Sequence, residues 1–182
     1  MQKLLAWTLQ SIRDEESDFS WMEEKRYDWT PLIKSVLERI VQGQSVLILT
    51  DPPRRWFGHY IQNKINATIN NRPFLPFYQM TRMFSMLEDI QSAQDLALLE
   101  DMLDISFSNG YFIWYIGEGT HPFTKLVYRN EENFLWILDD QVQNSFFLKG
   151  SDPLLDLKLI QLYKLFDSTI TAVLFGELEL ES

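Results

Sequence analysis

Few residues in this 182-residue chain could act as acids, bases or nucleophiles. Histidine occurs only at His59 and His121, and the chain has no cysteine. An acid–base scheme built on histidine must use one of these two, yet His59 falls inside a predicted helix, beside Trp56 and Tyr60. The sequence contains no Gly-x-Ser-x-Gly elbow and no cluster of His, Asp and Glu at metal-ligand spacing. We therefore expect no catalytic residue, no metal site and no cofactor, and a protein that is not an enzyme.

Four polar loops follow predicted strands, where open parallel sheets bind their ligands. They comprise residues 50–55, 80–82, 117–121 and 139–140. The first carries Pro52 and Pro53 where a phosphate-binding loop needs glycines and free backbone amides. Asp139 and Asp140 end a strand, where an acid can serve catalysis, but no second acidic site pairs with them. The first and last loops therefore give no phosphate cradle and no acid–base pair.

The loop at residues 117–121 is the best remaining candidate for an anion site. Its Gly-x-Gly-Thr sequence lies at a strand-to-helix turn, but Glu118 within it would repel an anion. Alternatively, its glycines only permit a tight turn and Thr120 caps a short helix. Arg54, Arg55 and Arg82 could add a cationic patch at the same edge, or they could be solvated or paired with the excess acids.

The elements that position these loops follow from hydrophobic periodicity. Thr30 and Pro31 predict the N-cap and first position of a helix that ends at Gly43, with residues 19–29 as a connector or a short helix before it. Pro76 indicates that the second strand lies at an edge or starts near Phe77. The other predicted helices cover residues 3–18, 54–66, 93–107 and 154–175, with a short one near 123–127, and the strands cover residues 45–50, 74–80, 111–116, 134–138 and 145–148.

Apolar strands that alternate with helices are typical of a parallel sheet covered on both faces. We therefore expect a single α/β domain over residues 1–182, with a five-stranded parallel sheet flanked by helices, extra N-terminal helices and a long C-terminal helix. The terminal helices carry apolar residues on more than one side. This predicts a dimer or tetramer assembled through them.

The charge of the chain limits its partners. Its formal net charge is −10, which argues against direct binding of nucleic acid. No apolar run reaches the ~20 residues that span a bilayer, so we expect a cytoplasmic protein with no membrane partner. Acidic residues gather near the first helix and again after Phe175, at Glu177, Glu179 and Glu181. Beside exposed rings they would steer a basic partner; alternatively, they are only solvated surface.

Several segments of the chain resemble the HobA family of replication-initiation regulators, structural relatives of DiaA. They are the first helix with Trp7 and Leu9, the sequence DWTPLI at residues 28–33, the strand end LILTD at residues 47–51, and the closing helix. The resemblance implies a sugar-isomerase-like, flavodoxin-type fold and a homotetramer. It also implies binding to the N-terminal domain of the initiator DnaA, so that several initiator molecules are gathered at the origin.

The resemblance also implies where the partner binds. DiaA-like proteins carry a Leu-Phe pair near the chain end that is linked to initiator binding, and Leu174 and Phe175 match it, with Glu177 beside them. Alternatively, Leu174 and Phe175 belong to the core. Sugar-isomerase domains bind phosphosugars through Ser/Thr-rich loops, but residues 51–54 and 117–120 depart from that pattern. A phosphosugar-binding or isomerase domain is therefore the alternative function.

Overall fold

The computed structural model describes residues 2–180, with a five-stranded parallel sheet at its centre. Its strands are β2 (Ser45–Thr50), β3 (Phe77–Gln79), β4 (Tyr111–Glu118), β5 (Phe134–Leu138) and β6 (Ser145–Leu148). Their order in the sheet is β3-β2-β4-β5-β6. The direction in which successive strands are added reverses between β2 and β4, which is the flavodoxin-type order. The predicted fold class, all five strands and the edge position of β3 are confirmed.

Helices cover both faces of this sheet. One face packs against α1 (Leu4–Asp14), α2 (Met22–Val41), α3 (Arg55–Ile65) and α7 (Leu155–Leu174). The other packs against α4 (Met80–Met83), α5 (Ala93–Ser106) and α6 (Thr124–Val127). Among residues 2–180, no helix is long and apolar enough to cross a membrane.

Aromatic rings in edge-to-face and tilted contacts fill the larger core. Trp114 lies 5.0 Å from Trp136, 4.9 Å from Phe166 and 5.3 Å from Phe134 between ring centroids. Trp29 of α2 joins them, 5.6 Å from Trp136. Such pairs bury large areas and add ~1 kcal/mol each beyond burial. These rings are therefore part of the core and not of the surface.

Helix α2 differs from its prediction, because it begins at Met22 and runs through Pro31 without a break. Thr30 is not its N-cap, since its hydroxyl donates to the carbonyl of Arg26 at 2.7 Å. A proline inside a helix removes the hydrogen bond to the carbonyl four residues earlier. Here that carbonyl belongs to Tyr27, and Tyr27 and Pro31 are both exposed, so water can satisfy it. Burial of Met22 and Trp29 in the core favours the continuous helix.

A second, two-stranded sheet joins the two ends of the described chain and was not predicted. Strand β1 (Gln2–Lys3) pairs in parallel with β7 (Leu178–Glu179). Leu178 is buried there against Leu4 and Ala172. Helix α1 also ends at Asp14 and not near residue 18 as predicted. The acidic stretch after α7 therefore lies beside the start of α1; Glu181, which belongs to that stretch by sequence, is outside the described residues.

Candidate functional site

The loop after β2 is closed around a buried carboxylate at the carboxyl edge of the sheet. The side chain of Asp51 is about 1% exposed. Its Oδ1 accepts a hydrogen bond from Nε of Arg54 at 2.6 Å, and its Oδ2 accepts one from the guanidinium of Arg54 and another from the backbone N–H of Glu118 at 2.8 Å. A cation and an amide donor that could hold a ligand anion are therefore occupied by an anion of the protein itself.

The two glycines of the neighbouring loop let chain segments approach closely. A Cβ at Gly117 would lie 2.6 Å from the hydroxyl of Tyr115 and 2.8 Å from Cγ of Asp51, and one at Gly119 would lie 2.5 Å from Cβ of Asp140. Burial is the main cause that raises the pKa of Tyr115, followed by the charge of Asp51. The close approaches at Gly117 and Gly119 support the interpretation that these glycines permit a tight turn. However, Thr120 does not cap α6, whose N-cap residue is Phe123.

His59, Arg82 and Arg55 at this edge also contact other side chains of the protein. His59 contacts Gln79 and Arg82 through Nδ1, at 3.1 and 3.4 Å. Arg55 pairs with Glu88. Asp139 accepts a hydrogen bond from the backbone N–H of Gly150 at 2.8 Å, which is a structural role. Within residues 2–180, no group of three or more His, Asp or Glu side chains could hold a metal ion.

An apolar cavity of about 290 Å³ opens at the same edge. Polar groups come from Arg55, Glu88 and His121, and most of its wall is formed by the apolar residues Pro52, Leu87, Ile90, Leu96, Pro122, Phe123 and Leu126. Nδ1 of that histidine accepts a hydrogen bond from the backbone N–H of Phe123 at 3.2 Å. The cavity therefore presents mainly hydrocarbon to a ligand, and two of its three polar side chains, Arg55 and Glu88, are paired with each other.

The end of α7 is fixed by a Schellman motif. The N–H of Glu177 donates to the carbonyl of Ala172 at 2.8 Å, and the N–H of Gly176 donates to that of Val173 at 3.1 Å. Gly176 has a φ of +71°, the left-handed conformation that the motif requires. Pairing of β7 with β1 begins two residues later. The turn that carries Phe175 is therefore held on both sides.

The three residues implied by the family resemblance have different surroundings. Phe175 is 55% exposed, and Glu177 is exposed as well. Leu174 is half-buried and packs against the larger core. The structure thus brings Phe175 and Glu177 to the surface on one turn, and the core interpretation applies to Leu174 alone.

A loop next to α7 adds further exposed apolar side chains. The Arg72 side chain is about 1% exposed. It donates to the carboxylate and carbonyl of Asp167 and to the hydroxyl of Thr171, the last at 2.7 Å. Because Thr171 lies one helical turn before Phe175, Arg72 anchors the loop near the end of α7. On this anchored loop, Ile69 is 89% exposed and Phe74 is 73% exposed.

Sequence reasoning did not identify Ile69 and Phe74 as surface residues. The available signal was a lone isoleucine within the polar run Asn66–Ala67–Thr68–Ile69–Asn70–Asn71, where no periodicity predicts a buried position. Three asparagines and a threonine mark this run as a loop, and an apolar residue in such a loop is a candidate for contact with a partner.

Comparisons with known proteins agree in pointing to one family. The family model for HobA, a DNA replication regulator, matches residues 1–180. The DNA replication regulator protein HobA of Helicobacter pylori is 26% identical over 99% of this chain and 100% of its own length. A crystal structure of H. pylori HobA has a TM-score of 0.76 at 25% identity, covering 98% of this chain and 99% of that one. A crystal structure of a HobA–DnaA (domain I–II) complex from H. pylori has a TM-score of 0.74 at 26% identity, with the same coverage.

Proposed function

Because the chain belongs to the HobA family of DNA replication regulators, we propose that it binds the N-terminal region of the initiator DnaA. The relative from H. pylori has been crystallised with domains I and II of DnaA. In this proposal the protein acts in the cytoplasm and does not catalyse a reaction. Its work is to hold initiator molecules next to one another.

The observation that carries the proposal is the exposed ring of Phe175 on a rigid turn. Aromatic anchors in the centre of interfaces contribute most of the binding energy. A side chain that is already fixed loses little conformational entropy when it docks. The Schellman motif and the β1–β7 pairing hold the backbone of Phe175, so the ring is presented in a defined direction. Leu174 stabilises this turn by packing against the core.

Charge gives the same surface a preference for basic partners. Glu177 and Glu179 are both exposed and follow Phe175 closely, and the whole chain carries a formal net charge of −10. Complementary charge mainly raises the association rate and suppresses wrong partners. Nucleic acid is repelled by the same field. In this proposal the protein therefore binds the initiator, and the initiator makes the contact with DNA.

Self-association would turn one weak contact into ordered assembly. In this proposal the chain forms a homotetramer that offers several copies of the Phe175 surface. Linked sites give bound initiators an effective concentration of about millimolar. Exposed apolar residues at the start of α7 and on α1, Leu154, Leu157 and Leu5, support contact between subunits through the terminal helices.

The carboxyl edge of the sheet, as described within residues 2–180, does not favour phosphosugar chemistry. An isomerase of this fold needs a phosphate cradle at the carboxyl edge. There the Asp51 carboxylate already occupies Arg54 and the N–H of Glu118. We therefore retain a single proposed function, that of a non-enzymatic initiator-binding regulator.

Size-exclusion chromatography with light scattering tests the proposal. The full chain is run alone and with DnaA domains I–II, and a DnaA fragment without these domains is the control. We expect a mass several times the 21.6 kDa of one chain, with one initiator fragment per subunit in the mixture and no binding of the control fragment. A single chain of 21.6 kDa, or separate elution of domains I–II, would overturn it.

A further inference from the structure

Helix α5 has a second apolar stripe on its outer face. Its inner face packs Leu96, Leu99 and Leu103 into the core. Leu98, Met102 and Ile105 follow the spacing i, i+4, i+7 and therefore share another face of the helix. Leu98 is 52% exposed and Ile105 is 82% exposed. The stripe is continuous over two turns, and no other element within residues 2–180 buries it.

The stripe lies on a rigid helix. A capping box fixes the N-terminus, where Ser92 accepts a hydrogen bond from the N–H of Asp95 at 3.1 Å and the Asp95 carboxylate accepts one from the N–H of Ser92 at 2.9 Å. Near its middle, Glu100 pairs with Arg129 through two hydrogen bonds, of 2.6 and 3.0 Å. A preformed helix face of this kind suits a partner helix that lies along it.

Acidic side chains flank the stripe on both sides. At about 100° per residue, Asp95 and Asp101 lie about 60° to either side of Leu98, and Asp104 lies beyond Asp101. Helix α5 contains no lysine or arginine between Ala93 and Ser106. Two copies of this face would therefore place carboxylates against carboxylates, which disfavours self-association. A bilayer with an anionic surface would be repelled for the same reason.

We propose that the outer face of α5 is a docking site for a basic amphipathic helix of a second protein. The apolar side of that helix would cover Leu98, Met102 and Ile105, and its Lys or Arg residues would meet Asp95, Asp101 and Asp104. This site is separate from the Phe175 surface, because α5 and α7 cover opposite faces of the sheet. The protein then links two partners, one on each side of the sheet.

The test uses a fluorescein-labelled 18-residue peptide with leucine on one helical face and lysine on the other. Its scrambled version keeps the composition but loses the amphipathic order, and a third peptide carries glutamate in place of lysine. Fluorescence anisotropy with the full chain should give at least ten-fold tighter binding of the ordered lysine peptide than of either control. Raising the salt from about 50 to 300 mM should weaken that binding several-fold.

Variants assign the binding to α5. The triple variant Leu98→Gln, Met102→Gln and Ile105→Gln, which keeps residues of good helix propensity, should weaken the peptide at least ten-fold. Asp101→Asn with Asp104→Asn should weaken it about three-fold and reduce the salt dependence. The matched control Tyr27→Gln with Val41→Gln changes two exposed side chains of α2, on the opposite face of the sheet, and should bind it as the native chain does. Circular dichroism checks that each variant is folded.

Three results would overturn the proposal. The first is equal affinity for the ordered and scrambled peptides, and the second is native affinity in the triple variant. The third is a lower mass of the triple variant in light scattering, because the stripe would then be an interface between copies. Retained binding of DnaA domains I–II by the triple variant supports a separate site, and its loss overturns that separation. Initiator binding can be measured whether or not the peptide binds. The proposed function and the α5 docking site are therefore tested independently.

Discussion

Replacement of Phe175 by alanine should separate partner binding from folding. The ring is 55% exposed, and a phenylalanine side chain can bury about 200 Å². About 110 Å² is therefore left to be covered by a partner, which at about 25 cal/mol per Å² corresponds to about 2.7 kcal/mol, or about 100-fold in Kd. Alanine retains part of this contact, and buried area never converts fully into affinity. We expect Kd for DnaA domains I–II to rise by about 10- to 100-fold.

Folding should change little in the same variant. Phe175 caps the end of α7, so its truncation should lower the free energy of unfolding by at most about 1 kcal/mol. Leu174→Ala is the informative comparison, because its side chain packs against the core and its loss should cost about 2 kcal/mol. Urea unfolding gives both values. Tyr27→Ala is the matched control, since Tyr27 is an exposed ring on α2, well away from α7 in sequence.

Isothermal titration calorimetry with DnaA domains I–II measures the affinities. Native affinity in Phe175→Ala would refute the anchor role of the ring. Loss of binding in Tyr27→Ala to the same extent would refute the assignment to the end of α7. If Leu174→Ala alone lost binding while remaining fully stable, Leu174 and not Phe175 would be the contact residue.

Other predictions concern the parts that hold this site and the sheet edge. Gly176→Ala should lower the free energy of unfolding by about 1 kcal/mol, because its φ of +71° is strained for any side chain, and should also weaken initiator binding; unchanged binding would show that the turn need not be rigid. Asp51→Asn should cost about 2 kcal/mol in urea unfolding, because Arg54 and an amide donor lose a buried anion; a neutral effect would contradict this. Arg72→Met should cost about 3 kcal/mol by removing a buried charge that Asp167 balances, and increased hydrogen exchange in residues 66–76 would show the release of the loop. Burial, and secondarily nearby acids, raises the pKa of Tyr111 to about 12, so stability should fall between pH 10 and 12, where the unfolded tyrosine has lost its proton and the folded one has kept it; Tyr111→Phe should flatten this part of the profile.

The sequence predicted the sheet well because its strands are apolar throughout and are bounded by turn residues. Pro76 even indicated the edge position of β3. The predicted start of α2 was wrong. Thr30 followed by Pro31 is a local signal for a helix start, but burial of Trp29 in a core assembled from distant segments favours one continuous helix. The prediction also missed β1 and β7, whose two-residue strands carry no periodicity of their own.

The candidate site was predicted only in part, for a physical reason. The family resemblance gave Leu174, Phe175 and Glu177, but exposure depends on which side of α7 meets the core, and that side is decided by tertiary packing. The loop with Ile69 and Phe74 lies near α7 only because Arg72 reaches Asp167, 95 residues later in the chain. No local pattern encodes a contact over that distance.

The pairing of β1 with β7 bears on how this protein should be handled in the laboratory. Gln2 lies opposite Leu178 and Lys3 opposite Glu179. A purification tag or fluorescent fusion placed directly before β1 or directly after β7 therefore starts from the same small area, within a few residues of Phe175. Under the proposed role of Phe175, such an appendage would compete with the initiator for space on whichever of the two strands it was placed. Immobilisation through an engineered cysteine in a loop across the sheet, such as the one before α5, would leave that area open, and the native chain offers no competing thiol.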